Sequence, residues 1–192
     1  MRGEVVTGLV LAAGGSSRLG RPKQLLPYRG ATLLDAVLDT ARDCAFHQLL
    51  VTLGGSAGAV RDAVDLGGAE VVLNPGYGTG CSSSVAAAVA HVDPRSDVLV
   101  LLLGDQPGVT AETVRALLAA RGDAPLAVCR YDDGLGHPFA FARELLPELG
   151  GLHGDKAVWK LRERLAEQVA EVPIAGPVPR DVDTWADYEA LR

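Results

Sequence analysis

The chain has 192 residues, of which 18 are Lys or Arg and 24 Asp or Glu, a formal net charge of −6, with 48 % hydrophobic and 22 % charged residues. This is an ordinary globular composition, long enough for one domain with a sizeable core. The acidic balance argues against broad binding to nucleic acid or an anionic membrane surface, no apolar run approaches the roughly 20 residues of a membrane span, and the charged stretch Met1–Thr7 does not read as a signal peptide.

In chain order, Val5–Leu11 is an apolar run too short for a core helix and reads as a strand buried on both faces. A loop of small residues follows, then a helix capped by Thr32 with Leu33, Leu34, Val37 and Leu38 as its apolar stripe. Leu49–Leu53 is the second strand, Ser56–Asp65 a short helix and Glu70–Leu73 the third strand. Asn74–Ser84 is a Gly/Ser-rich loop and Val85–Val92 an alanine-rich helix. Asp97–Leu103 ("DVLVLLL") is the clearest strand and ends in "GDQP"; Thr110 then caps a helix to Ala120. The second half is less regular. Leu126–Arg130 and Phe139–Ala142 read as strands flanking a turn "YDDGLGHP", Lys156–Gln168 as a helix, Val169–Ile174 as a strand, and a Pro-rich connector leads to a last helix capped by Thr184. The β-then-α alternation predicts a doubly wound, mostly parallel α/β sheet in a single domain spanning 1–192. Cys44, Cys81 and Cys129 fit no metal or redox spacing, so a reduced, cytoplasmic setting is expected.

The loop "LAAGGSSRLGRPK" carries the first chemical signal. Six consecutive small residues, Ala12–Ser17, leave the backbone bare, and Arg18 and Lys23 then supply two cations. Gly15 and Gly20 have the spacing of a P-loop, but Arg21 and Pro22 stand where its Lys should, and G-x-G-x-x-G is absent as well. What remains is a loop whose Gly14 and Gly15 allow positive φ and close approach, so that N–H groups can face phosphate oxygens. Arg18 adds a planar fork of donors and Lys23 a compact charge. The competing reading is a surface turn with incidental cations.

Asp105 lies just past the carboxyl end of an apolar strand, where open α/β sheets bind ligands. A carboxylate there can take Mg²⁺, which uses one or two carboxylates plus substrate oxygens; a turn aspartate before Pro107 is the alternative. Asp181 and Asp183 in "PRDVDTW" share a face if extended. Asp183 could be the second metal carboxylate, although "DT" before a helix is also capping chemistry, and taken alone the cap is the simpler reading. His137, before a proline, reads as structural or as a contact to an acceptor.

"LAAGGSSRLGRPKQLLP" resembles the signature L-A-[AG]-G-x-S-x-R-M-G-x-x-K of the MobA-like nucleotidyltransferases, with Leu19 in place of the Met. "NPGYGTGCSSSV", "GDQP", "GHP" at Gly136–Pro138, "GDK" at Gly154–Lys156 and "DVDTWADY" complete the set over nearly the whole chain, which is most similar to the molybdenum cofactor cytidylyltransferases. The resemblance implies a Rossmann-like nucleotidyltransferase fold, with an NTP-binding half near 1–110 and an acceptor-binding half near 111–192. It implies that Leu11, Ala12, Ala13, Gly14, Gly15, Ser16, Arg18, Lys23, Gly80, Ser82 and Asp105 contact the nucleotide. Arg18, Lys23 and Asp105 would be catalytic, and Asp105 and Asp183 would hold Mg²⁺. Ser83, Ser84, Gln106, His137, Asp155 and Lys156 would face a phosphorylated pterin-type acceptor. Ala13 in "LAAG", rather than "LAGG", is similar to members that use CTP rather than GTP. The implied reaction is transfer of CMP from CTP to the molybdopterin phosphate with release of pyrophosphate, the product passing to a molybdoenzyme or its chaperone.

This chain departs from the family at "GDKAVWK" (Gly154–Lys160), where members carry Gly-Ala-Arg after the Lys, and it lacks an Arg just before "GHP". Both departures lie on the acceptor side. They leave open guanylyl or cytidylyl transfer to another acceptor, such as a sugar phosphate, methylerythritol phosphate or a deazaflavin precursor. A non-catalytic nucleotide-binding protein and a dinucleotide-dependent oxidoreductase are the other readings.

Overall fold

The computed structural model describes residues 3–154 and 156–191. In chain order its main elements are β1 (Val6–Ala12), a small ribbon of β2 (Pro27–Tyr28) and β3 (Ala31–Thr32), α1 (Leu33–Asp43), β4 (Gln48–Leu53), α2 (Ala57–Ala63), β5 (Glu70–Leu73), α3 (Cys81–Val89), β6 (Val98–Leu103), α4 (Ala111–Arg121), β7 (Leu126–Tyr131), β8 (Gly134–Ala142), α5 (Leu146–Gly150), α6 (Ala157–Arg164), β9 (Val169–Pro173) and α7 (Trp185–Glu189). The main sheet has the order β5-β4-β1-β6-β8-β7-β9. Only β8 runs antiparallel to its neighbours, while β1–β4, β1–β6, β4–β5 and β7–β9 pair in parallel. The expected doubly wound, mostly parallel α/β sheet is what forms.

The order follows from burial on both faces. In β1, Val6, Val10 and Ala12 face a core shared with Leu34, Val37, Leu38, Val60, Val114 and Leu117 of α1, α2 and α4. Leu9 and Leu11 face the opposite core with Val85, Ala88, Leu149, Val158 and Leu161 of α3, α5 and α6. The period-2 alternation of a strand thus sends neighbouring residues of one apolar run to two different cores. The chain passes from β1 to β4 and β5 on one side and returns to β6 on the other. The gap above the ends of β1 and β6 is therefore the topological switch point, where doubly wound sheets hold ligands.

Several expected elements shift. Thr32 caps α1 as expected, in a reciprocal box with Asp35. Helix α3 starts at Cys81, four residues before the expected Val85, so the serines form its first turn rather than a loop. The turn "YDDGLGHP" shrinks to Asp132–Asp133, because Tyr131 already pairs with Gly134. Gly136 serves close packing instead: a Cβ there would lie 2.8 Å from Val178 Cγ1. The expected helix 156–168 ends as α6 at Arg164, followed by a 3₁₀ turn at Ala166–Gln168. Arg143–Gly150, for which the patterning predicts no element, is a 3₁₀ turn running into α5. Among the described residues no helix is long and apolar enough to cross a membrane.

Gly8 in β1 is a point of tight fit, since a Cβ there would lie 2.2 Å from the Phe46 ring. Gly8→Ala is expected to destabilise the fold by about 1–3 kcal/mol through overpacking. Urea denaturation checks this, and Phe46→Leu in the same chain should recover part of the loss.

Candidate active site

A cleft of about 880 Å³ opens at the switch point. Its floor is the end of β1 with the loop after it, and the end of β6 with Gly104 and Asp105. One wall is Tyr77–Cys81 with Ser84, and the other is His137, Gly154, Lys156, Val158 and Trp159. Asp181 and Asp183 reach in from the C-terminal segment. Leu11, Ala12, Ala13, Gly14, Gly15, Arg18, Lys23, Gly80, Ser84, Asp105, His137, Lys156 and Asp183 are all brought together here, from both halves of the chain.

The loop after β1 is fixed from beneath. The Gln24 amide donates to the carbonyls of Ala12 (2.7 Å) and Gly14 (3.2 Å), and the Lys23 N–H donates to Ser16 Oγ at 2.9 Å. Positive φ falls on Ser16 (51°) and Gly20 (68°), whereas Gly14 and Gly15 lie outside that region. Gly14 and Gly15 thus do not use the positive φ that they allow. A Cβ on Gly14 would lie 3.6 Å from Lys23 Cε, and one on Gly15 3.6 Å from Tyr77 Cε2, both ordinary van der Waals distances, so what the two glycines contribute is bare backbone facing the cleft.

The C-terminal segment is held by its alternation. Val182 is fully buried in a small core with Leu19, Leu26, Tyr28, Leu33 and Tyr188, and its N–H donates to the Asp105 carbonyl at 3.2 Å. Its neighbours Asp181 and Asp183 consequently face the other way, into the cleft. Tyr188 Oη donates to the Pro27 carbonyl at 2.6 Å. The capping of α7 is done by Thr184 and Asp187, so Asp183 is not consumed by the helix start. It accepts from Lys23 Nζ and from Arg18, each at 2.9 Å. Lys23 Nζ also donates to Asp105.

Lys23 therefore bridges two carboxylates, Arg18 joins one of them, and Asp181 lines the same cleft. Burial alone would lower the Lys23 ammonium, but Asp105 and Asp183 outweigh it and hold it above its ordinary value. Burial raises Asp105, opposed by Lys23. The Lys23 hydrogen bond, with further help from Arg18, holds Asp183 below the usual carboxylate range. Asp181 is open to solvent from the cleft, yet the protein crowded around it, together with Asp105 and Asp183, pushes it up to about 6. Two carboxylates converging on one cation beside open space for substrate oxygens is a donor set that suits Mg²⁺ or Mn²⁺.

Other expected residues stand apart. Ser16, Ser82, Ser83 and Gln106 do not line the cleft. Ser83 Oγ bonds the Gly76 and Gly80 carbonyls and accepts from Asn74, and Gln106 donates to the Pro179 carbonyl. Asp155 lies outside the described residues. His137 is buried within β8, edge-on to Phe139 (4.9 Å) and Trp159 (6.0 Å), and burial pushes it down to about 4. It is neutral at pH 7 and offers hydrogen bonding rather than charge.

Sequence reasoning missed Tyr77, Gln24 and Asp181 as parts of the site. The "GG" at Gly54–Gly55 is the one signal for Tyr77, since a Cβ on either would lie under 3 Å from its ring. The "DVD" spacing is the signal for Asp181.

The chain belongs to the MobA-like NTP transferase family, whose domain model matches residues 8–169. It is 35 % identical over 150 residues to nicotine blue oxidoreductase of Paenarthrobacter nicotinovorans, covering 74 % of this chain and 73 % of that protein. It is 37 % identical over 141 residues to the bifunctional protein GlmU of Synechococcus sp. (strain CC9311), of whose length it covers only 31 %. Among solved structures, Rv0371c from Mycobacterium tuberculosis H37Rv superposes with a TM-score of 0.92 at 51 % identity, over 98 % of this chain and 97 % of that one. A second structure of Rv0371c, a complex with manganese, superposes with a TM-score of 0.87 at 49 % identity, over 97 % of each chain.

Because His137 is neutral when folded, the unfolded chain binds one more proton between pH 6.5, the ordinary histidine value, and about 4. Stability from this group is complete above pH 6.5 and is lost as pH falls through that window, by up to about 3 kcal/mol. Urea denaturation at pH 7, 5.5 and 4.5 should show a steeper acid limb for wild type than for His137→Asn.

Proposed function

We propose that this chain is a divalent-metal-dependent nucleotidyltransferase that moves CMP from CTP to the phosphate of a molybdopterin-type acceptor and releases pyrophosphate. The observation that carries the reading is the convergence of Lys23 with Asp105 and Asp183, and of Arg18 with Asp183, at the mouth of the bare Ala13–Gly15 loop. Family membership supports nucleotidyl transfer. The order of the motifs from "LAAGG" to "DVDTW" supports the cytidylyl donor and the pterin acceptor.

In this reading the triphosphate lies over Gly14 and Gly15 with Arg18 and Lys23 on its oxygens. An oxygen of the acceptor phosphate attacks the α-phosphorus, the bond to the bridging oxygen breaks, and its electron pair leaves with pyrophosphate. The nucleophile is already anionic at pH 7, so the chain needs no strong general base. Arg18 and Lys23 offset the charge that grows on the leaving group. Asp105 and Asp183 would hold the divalent ion, Mg²⁺ in this reading, and that ion would supply further charge neutralisation and orientation of the phosphates. The acceptor ring would lie against Trp159 and His137, with Lys156 at its phosphate end.

A second reading comes from the relative named as an oxidoreductase. The aromatic wall of Trp159 and His137 would suit another planar heterocycle, reduced by NAD(P)H. The absence of a G-x-G-x-x-G fingerprint weighs against it.

The test is release of pyrophosphate from each of the four NTPs with Mg²⁺ or Mn²⁺ and molybdopterin, beside a parallel assay for NAD(P)H oxidation. CTP-dependent pyrophosphate release is expected, and Asp105→Asn should lower its rate by about 10²-fold or more with the melting temperature of a folded chain. Near-normal turnover in Asp105→Asn would reject the metal assignment. Consumption of NAD(P)H without pyrophosphate would replace the function.

A further inference from the structure

Lys23 is placed to do more than grip phosphate. Its ammonium bridges Asp105 and Asp183, bonding an oxygen of each, and only 14 % of its side chain is exposed. A divalent ion held by the same two carboxylates takes oxygen ligands at about 2.0–2.1 Å if it is Mg²⁺. An ammonium and such an ion compete for the oxygens of the pair. They would stand within about 3–4 Å of each other, where like charges in a poorly hydrated site repel strongly. Occupation of the carboxylate pair by Lys23 therefore opposes occupation by a metal.

The structure also gives the lysine somewhere else to go. Its backbone is pinned, because its N–H donates to Ser16 Oγ at 2.9 Å and Pro22 fixes φ just before it. Its stem runs along the bare loop, with Cε 3.6 Å from where a Gly14 Cβ would be. Rotation of the side-chain torsions alone carries the ammonium from the carboxylates to a phosphate lying over Gly14–Gly15. Arg18, the other cation on Asp183, is 65 % exposed and yields readily, since exposed ion pairs are worth little. Lys23 is thus the closure on the carboxylate pair that a metal must displace.

Resting on the nucleotidyl-transfer reading, we propose that Lys23 couples the two ligands: its ammonium closes the Asp105–Asp183 pair to a divalent ion arriving alone, and a triphosphate opens the pair by drawing the ammonium onto its own oxygens. Metal and nucleotide then bind cooperatively, and the coupling is reciprocal by linkage.

The experiment is Mn²⁺ binding followed by electron paramagnetic resonance, with and without CTP and with no acceptor, the CTP–Mn²⁺ complex being titrated separately as reference. Without nucleotide, Lys23→Met should bind Mn²⁺ about tenfold or more tighter than wild type, and should lose the further tightening that CTP gives wild type. Asp183→Asn should abolish the gain. Lys23→Met binding Mn²⁺ no tighter than wild type overturns the proposal. A second measurement needs no variant: in lysine-selective ¹⁵N spectra of wild type, the Lys23 ammonium signal should move with Mg²⁺ plus CTP but not with the same Mg²⁺ alone. Displacement by Mg²⁺ alone overturns the coupling even if Lys23→Met fails to fold. If wild type binds no NTP, the proposed function falls, whereas the nucleotide-free Mn²⁺ comparison still reads out the exclusion at the carboxylate pair.

Discussion

One cation held by two carboxylates that lie far apart in the chain organises the site. Lys23 Nζ joins Asp105, at the end of β6, to Asp183, in the C-terminal segment. Each partner limits what the others can do. Asp105 is too enclosed to stand comfortably as a lone anion, and Lys23 is too enclosed to stand as a lone cation. Together they form a small electrostatic core around which the bare loop, the strand end and the returning segment are arranged. Asp181 lies beside this core, and burial, with Asp105 and Asp183 adding to it, pushes its carboxyl up. A site that sets carboxylates and cations side by side suits a ligand that brings positive and negative charge together, as a metal–triphosphate complex does.

That arrangement is possible because apolar packing positions polar groups. Val182 carries no chemistry, yet its burial between Leu19, Leu26 and Tyr188 orients the two aspartates on either side of it. Gln24 is equally silent in mechanism and ties the Ala12 and Gly14 carbonyls from below. Gly54 and Gly55 have a comparable part, since their missing side chains give Tyr77 its place on the cleft wall. The parallel sheet supplies the frame, and a handful of buried neighbours turn it into a binding geometry.

The two sides of the cleft differ in character. One side is backbone, glycine and charge, whereas the other is apolar and aromatic, with His137 held neutral by burial between Phe139 and Trp159. Charge on that side comes from Lys156. The departures from the family pattern in Gly154–Lys160 fall on this same wall.

Much of this is legible in the residues alone. Apolar runs of strand length alternating with capped helices determine the doubly wound sheet, because burial on both faces leaves continuous apolar strands. The small-residue loop followed by Arg18 and Lys23, and the aspartate after "LLLG", mark the site because few other uses explain bare backbone and cations at a strand end. Proximity is beyond the reach of residue order. Asp183 reads as a cap in the sequence, but Thr184 and Asp187 take that role and Val182 turns it inward. The glycines of the loop read as allowing positive φ and close approach, yet Ser16 takes the left-handed conformation and the glycines leave bare backbone facing the cleft. "GLGHP" reads as a turn, although its Gly136 answers to Val178 across the sheet. In each case the local pattern allows two uses, and contacts between residues far apart in sequence select one. Residue type fixes what a side chain can do, and only packing fixes what it meets.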